Sequence, residues 1–174
     1  MNNAPPKVIF TDIDGVWTDG GMYYDNNQNE FKKFNTNDSL GILICRVLDI
    51  KCVIITGEKS EIVVNRAKKL SIEFCFQNVK DKLKCAREFC DKNNISLKDC
   101  AFIGDSLNDF KLLKEVGYSA SPINGLEYIK KHVDFVSPQK GGDGAFLDFI
   151  QHLLVNKDNI EDIYSRIIKT FYTE

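Results

Sequence analysis

Asp12 and Asp14 stand two positions apart, directly after the apolar run 8–10, in the stretch Phe10-Thr11-Asp12-Ile13-Asp14-Gly15-Val16-Trp17-Thr18-Asp19-Gly20. The run has the character of a buried strand, and the polar, glycine-punctuated segment after it that of a turn. Carboxylates at alternate positions of an extended chain point the same way. Two like charges that close repel and favour protonation unless a cation lies between them. An oxygen-only donor set suits magnesium, which takes one or two carboxylates with phosphate oxygens and water. Two solvated aspartates in a strand-ending turn share this local pattern, so a second cluster is needed to separate the readings.

That cluster is Ile103-Gly104-Asp105-Ser106-Leu107-Asn108-Asp109, again a buried strand, a glycine and then carboxylates. Parallel strands place such ends along one edge of a sheet, so Asp105 can join Asp12 and Asp14 around one cation. Thr56 ends another β-branched run and Lys82 stands near the start of a helical segment. A hydroxyl and an ammonium there can hold a phosphate while a cation neutralises its other oxygens. Singly, Thr56 reads as a turn residue and Lys82 as a solvated lysine; their order, each beside a strand end, argues for one site.

The elements that must position these groups alternate. Strands are expected at 8–10, 51–56, 73–76, 101–104, 118–120 and 135–136, and helices at 38–48, 61–70, 80–92, 110–116, 125–131, 145–155 and 159–171. Asn37 or Asp38, Ser60 and Asn124 are the expected helix caps. Segments 21–24 and 30–34, joined by Asp25-Asn26-Asn27-Gln28-Asn29, read as a hairpin. Strands separated by helices imply an α/β fold, a Rossmann-like, doubly wound parallel sheet covered on both faces. With 174 residues the chain is expected to form one domain, with a hairpin at about 21–35 and a helical tail at about 145–174. Gly141-Gly142-Asp143-Gly144 lacks P-loop spacing and reads as a flexible joint.

A net charge of −2 with both signs mixed leaves no footprint for nucleic acid, and no apolar run approaches a membrane span. The first residues lack the charged and apolar regions of a signal peptide, so a cytoplasmic location is expected. The six cysteines contain no C-x-x-C pair and mostly lie in apolar stretches, which disfavours a zinc site or a disulfide framework. His132 and His152 stand alone.

Asp12-Ile13-Asp14-Gly15-Val16, Thr56, Lys82 and Gly104-Asp105-x-x-Asn108-Asp109 together resemble the four motifs of the haloacid dehalogenase superfamily of phosphotransferases, over about 7–154. The opening motif and the hairpin from Tyr23 to Lys32 are similar to its small branch of sugar-acid phosphatases without a large cap. The resemblance implies that Asp12 is the nucleophile and forms an aspartyl-phosphate. Asp14 would protonate the leaving oxygen and then activate water. Magnesium would be held by the Asp12 carboxylate, the Asp14 backbone carbonyl and Asp105, with Asp109 supporting the metal's waters or orienting Lys82. Thr56 and Lys82 would stabilise the transferring group and Asn108 help place it. Ser106 departs from many relatives, which carry a second aspartate there.

The branch includes phosphatases of eight-carbon octulosonate 8-phosphate and of nine-carbon keto sugar acid 9-phosphates. Octulosonate enzymes typically have arginine where this chain has Glu58, and glycine where it has Ser39. These changes, with Trp17, are similar to 2-keto-3-deoxynononate 9-phosphate phosphatases. A nine-carbon ester is therefore the first expectation and the octulosonate 8-phosphate of lipopolysaccharide synthesis the alternative. The resemblance implies that Thr36, Ser39 and Glu58 touch the sugar and that Arg66 and Lys69 meet its carboxylate across a subunit boundary. It also implies a homotetramer in which hairpins build a barrel and a neighbour partly covers each site. From other classes, a phosphomutase, a phosphoryl switch resembling a response regulator and an inactive structural subunit remain open.

Overall fold

A computed structural model of the chain describes residues 5–155 and 159–172. Its centre is a six-stranded, all-parallel sheet in the order β5-β4-β1-β6-β7-β8. These strands are β1 (Val8–Thr11), β4 (Lys51–Ile55), β5 (Phe74–Phe76), β6 (Cys100–Ile103), β7 (Tyr118–Pro122) and β8 (Phe135–Ser137). The hairpin strands are β2 (Tyr23–Tyr24) and β3 (Glu30–Phe31), antiparallel and shorter than expected. An isolated bridge from Thr18 to Phe34 closes the base of this excursion.

β1 is apolar without alternation because both its faces are covered. Ile9 faces a core shared with α1 (Asp38–Val47), α2 (Glu61–Lys69), α6 (Ala145–Leu154) and α7 (Ile160–Phe171). Val8 and Phe10 face a second core with α3 (Lys82–Asn93), α4 (Phe110–Glu115) and α5 (Glu127–Lys130). Phe149, Ile163 and Ile167 are buried in the first core, so the helical tail packs on the body of its own subunit. Fully burying such a side chain stabilises by roughly 1.5–3 kcal/mol.

Three expected caps are replaced by longer-range bonds. Asn37 occupies the position before α1 without a side-chain bond. Asp38 accepts instead from the Leu147 backbone N–H at 3.0 Å, capping the first turn of α6. Ser60 precedes α2 but its hydroxyl donates to Glu30 at 3.2 Å. Asn124 does not cap α5, which begins after Leu126. Its amide donates to the Gly15 carbonyl at 3.0 Å and its carbonyl accepts from the Gly141 N–H at 2.7 Å.

The stretch read as a flexible joint is a packed wall. Gly141 and Gly142 are buried, and the Gly142 N–H donates to the Val16 carbonyl at 3.2 Å. A Cβ on Gly141 would lie 1.9 Å from the Gly15 carbonyl oxygen, so only glycine allows this backbone to press on the turn after β1. Trp17 is fully buried, packs against Phe146 with centroids 4.5 Å apart and rings tilted by 36°, and donates to Thr11 Oγ1 at 2.8 Å. It is a core residue.

Candidate active site

The chain runs from β1 outward to β4 and β5, then crosses back to β6 and on to β7 and β8. The direction of winding therefore changes between the adjacent strands β1 and β6, and a crevice opens there at the strands' C-terminal ends. Asp12 follows β1 and Asp105 follows β6, one on each side of it. Thr56, buried, follows β4. Lys82 opens α3, whose first turn is capped by Asp81 accepting from the Lys84 N–H at 3.0 Å.

The Lys82 side chain is fully buried, with Nζ 2.8 Å from Asp12 Oδ2 and 2.6 Å from Asp109 Oδ1. Burial opposes its charge, but the two carboxylates outweigh burial and hold its pKa above the ordinary lysine value. Two acids thus share one base. Burial, with the Asp109 charge adding to it and Lys82 opposing, pushes the Asp12 carboxyl well above the usual carboxylate range. Burial and then Asp109 likewise push Asp105 up to about 7.

Asp109 has no spare oxygen. Oδ1 accepts from Lys82, while Oδ2 accepts from the backbone N–H groups of Asp105 and Ser106, each at 3.0 Å, and from the Ser106 hydroxyl at 3.1 Å. The same Ser106 hydroxyl proton is shared with Asn108 Oδ1, the shorter contact at 2.6 Å. The serine that departs from the family pattern therefore ties together the turn that carries Asp105.

Among the described residues, Asp12, Asp105 and Asp109 bring one carboxylate oxygen each within 4.8 Å of one another. Asp12 Oδ1 and Asp105 Oδ1 are buried without a hydrogen-bond partner. Such orphaned anionic oxygens are costly unless a cation or ligand meets them. The all-oxygen set fits a hard divalent cation such as magnesium, with Asp12 and Asp105 as its carboxylates. Gly15, at φ +86°, makes room: a Cβ there would lie 2.2 Å from Asp105 Oδ2.

Asp14 is arranged differently. Its Oδ1 accepts from Lys32 Nζ at 2.7 Å and from Thr18 Oγ1 at 3.2 Å, whereas Oδ2 is buried without a partner. Lys32 belongs to the hairpin that carries the resemblance but has no site role in the sequence reading, because a lysine in a charged hairpin ordinarily faces water. Its alternation with exposed Phe31, on the same side as Glu30, is the one sequence signal that it turns inward.

The expected sugar-binding residues fall into two groups. Arg66 Nη2 donates to Ser39 Oγ at 3.1 Å and to the Asn35 carbonyl at 3.3 Å, and its guanidinium lies 5.7 Å from the Phe34 ring centroid. Arg66 and Ser39 are thus together within one subunit. Thr36, Glu58, Lys69 and Asn108 are exposed. Of these, Asn108 lies beside Gly57, its Nδ2 3.5 Å from where a Gly57 Cβ would be.

Residues 21–150 match the family model described as haloacid dehalogenase-like hydrolase. The chain is 31% identical over 156 residues to the 3-deoxy-D-manno-octulosonate 8-phosphate phosphatase KdsC of Escherichia coli, covering 90% of this chain and 83% of that protein. Among solved structures, the 3-deoxy-D-manno-octulosonate 8-phosphate phosphatase of Moraxella catarrhalis, in complex with magnesium, phosphate and KDO, superposes with a TM-score of 0.88 at 33% identity, covering 92% of each chain. The cobalt-bound deoxy-D-mannose-octulosonate 8-phosphate phosphatase of Haemophilus influenzae gives 0.82 at 31% identity, covering 86% of this chain and 88% of that one. With its acidic crevice at the switch point of the sheet and a family match spanning most of its length, the chain belongs to the haloacid dehalogenase-like hydrolases.

Proposed function

We propose that the chain is a magnesium-dependent phosphomonoesterase that hydrolyses 3-deoxy-D-manno-octulosonate 8-phosphate through an aspartyl-phosphate. The observation that carries the chemistry is the set of three buried carboxylate oxygens without partners, on Asp12, Asp14 and Asp105, with buried Lys82 on Asp12 and buried Lys32 on Asp14. Lys82 holds Asp12 by Oδ2, which leaves Oδ1 to attack phosphorus. As that bond forms, the bond from phosphorus to the sugar oxygen breaks, and Asp14 gives the leaving oxygen its proton from Oδ2. Asp14, now a carboxylate, takes a proton from water as the water oxygen attacks phosphorus, releasing phosphate and restoring Asp12. Lys82 and Thr56 hold the equatorial oxygens of the transferring group, and Asn108 borders it.

Asp12, Asp105 and the Asp14 backbone carbonyl would hold magnesium. When bound, the ion neutralises phosphate oxygens and draws them toward Asp12. Asp109 acts from behind, orienting Lys82 and the Asp105 turn rather than ligating.

Support for the eight-carbon ester comes from the extent of the likeness to octulosonate 8-phosphate phosphatases. The nine-carbon reading keeps Glu58, exposed where an arginine would favour a carboxylate. Ser39, bonded to Arg66, and exposed Thr36 remain the sugar-contacting residues of this reading with either ester.

The same reading includes a homotetramer. Met22, Tyr24 and Phe31 are each more than half exposed on a hairpin whose two strands pair only with each other among the described residues. An apolar, unpaired edge of this kind favours assembly with other copies. Lys69, exposed on α2, would then reach a neighbour's substrate.

The test is phosphate release, with and without magnesium, from the octulosonate 8-phosphate, the deoxynononate 9-phosphate, an N-acylneuraminate 9-phosphate and common hexose phosphates. Preference for the first supports the proposal, and preference for a nine-carbon ester transfers it to the alternative. Release without magnesium, or by Asp12→Asn, refutes the mechanism. Light scattering that gives a monomer rejects the assembly.

A further inference from the structure

The hairpin brings one charged side chain into the site. Along β3 and the residues after it, Phe31 faces solvent while Glu30 and Lys32 turn inward. The Lys32 side chain is only 1% exposed, with Nζ 2.7 Å from Asp14 Oδ1 and 3.2 Å from Glu30 Oε1. The other oxygen of Glu30 accepts from the Ser60 hydroxyl at 3.2 Å, and the Ser60 N–H donates to Gln77 Oε1 at 2.6 Å. Lys32 is therefore braced from behind by a chain of bonds that ends on the body at the start of α2.

At the other end, the grip on Asp14 is one-sided. Lys32 and the Thr18 hydroxyl both hold Oδ1, and Oδ2 is left buried without a partner. A carboxylate held at one oxygen cannot swing, so its second oxygen is kept in a single place. Holding a proton-transfer group in position counts for much of its effectiveness, since small misplacements cost large factors in rate.

We propose that Lys32 is a positioning residue for catalysis: by fixing Asp14 through Oδ1 it presents Oδ2 to the leaving oxygen, and the hairpin's second duty is to deliver it. The proposal rests on Asp14 being the general acid. A plain tie between hairpin and body would use the same ion pair, but its loss would weaken every substrate alike.

Leaving-group dependence separates the two. p-Nitrophenolate departs without a proton, whereas the alkoxide of glycerol 1-phosphate or of the octulosonate ester needs one. In the full-length protein with magnesium, Lys32→Met is expected to lower kcat/KM for the alkyl esters by about 100-fold. For p-nitrophenyl phosphate the loss is expected to stay within about threefold. Glu30→Gln, which keeps the ammonium but weakens its brace, should move the same ratio in the same direction by a smaller factor. Asp14→Asn is the reference and should show the pattern most strongly. Equal losses on both ester types in Lys32→Met, or no loss, overturn the proposal when Asp14→Asn remains selective. An Asp14→Asn enzyme whose kcat/KM falls equally for both esters overturns the acid assignment itself, and the positioning role with it.

Discussion

Asp109 and Lys82 form a wholly buried ion pair, Oδ1 to Nζ at 2.6 Å, in which the aspartate also collects three donors from the turn after β6. Its carboxylate therefore aligns the lysine and the Asp105 turn at once. Removing one partner of a buried pair typically costs about 3–5 kcal/mol. Lys82 keeps Asp12 as a partner, so Asp109→Ala is expected at the lower end, about 3 kcal/mol, in urea unfolding. Turnover should fall by about 100-fold or more, because both the ammonium and Asp105 lose their alignment. An Asp109→Ala protein of unchanged stability would show that the pair is not holding the turn.

Magnesium should stabilise the protein more at high pH than at low. Burial lifts Asp12 above the usual carboxylate range and Asp105 from 3.8 to about 7 in the metal-free protein. Folded-state pKa values above the unfolded ones mean that the folded protein binds more protons. The stability linked to Asp105 is therefore complete below about pH 4 and is lost as pH rises through about 7. A cation between the carboxylates removes that loss and must compete with protons at low pH. Thermal melts with and without magnesium should show a larger rise in Tm at about pH 8 than at about pH 5.5. A rise of equal size at both would exclude these carboxylates as the ligands.

The residues legible from sequence are those whose placement follows from a strand and the turn after it. Asp12, Thr56 and Asp105 each follow a strand, with Asp14 two positions beyond Asp12, and the alternation of helix and strand then puts them on one edge. What escaped has its partner far along the chain. Asp38 resembles a local cap and bonds to Leu147, Asn124 resembles another and holds Gly15 and Gly141, and Ser60 reaches Glu30. Local pattern encodes the preference of these side chains for a backbone N–H or a turn, not which turn. Lys32 escaped for a related reason: composition marks it as solvated, and only the fold places a carboxylate in its path.

Asp38 should set part of the pH dependence of stability on its own. It is fully buried, Oδ2 has no partner, and burial raises its carboxyl from 3.8 to about 6 against the Leu147 N–H and the Arg66 charge, with Asp143 adding to the rise. The sign is the same as for Asp105: stability present below about pH 4 is lost as pH rises through about 6. Asparagine keeps an acceptor for Leu147 and cannot ionise. Asp38→Asn is thus expected to flatten the fall in unfolding free energy between about pH 4.5 and about pH 7 by about 1–3 kcal/mol. Because Arg66 loses a counter-charge on its way to Ser39, KM for the sugar phosphate should change more than kcat. An unaltered pH slope would mean that Asp38 is not the titrating group.

The glycine wall after β8 yields the most distant prediction. A methyl group at Gly141 would meet the Gly15 carbonyl oxygen at 1.9 Å and the Thr18 carbonyl oxygen at 2.6 Å. Both are backbone atoms of the turn that carries Asp14, so relief requires that turn to move. The same turn is held by Asn124, which bonds Gly15 and Gly141 together, so the neighbouring loop cannot retreat without breaking those bonds. Overpacking of this kind costs about 1–3 kcal/mol. Its effect on rate should be larger, because a shift of about 1 Å in a catalytic group is worth about 100-fold. Gly141→Ala is expected to fold, to melt several degrees lower, and to lose turnover on alkyl phosphates by about 100-fold. Gly144, with open space around its missing Cβ but φ +98°, supplies the control. Gly144→Ala should lower Tm through backbone strain and leave kcat within about threefold of the parent, since strain there does not touch the turn. Equal loss of kcat in both variants would mean that the wall acts through general stability and not through contact with Gly15.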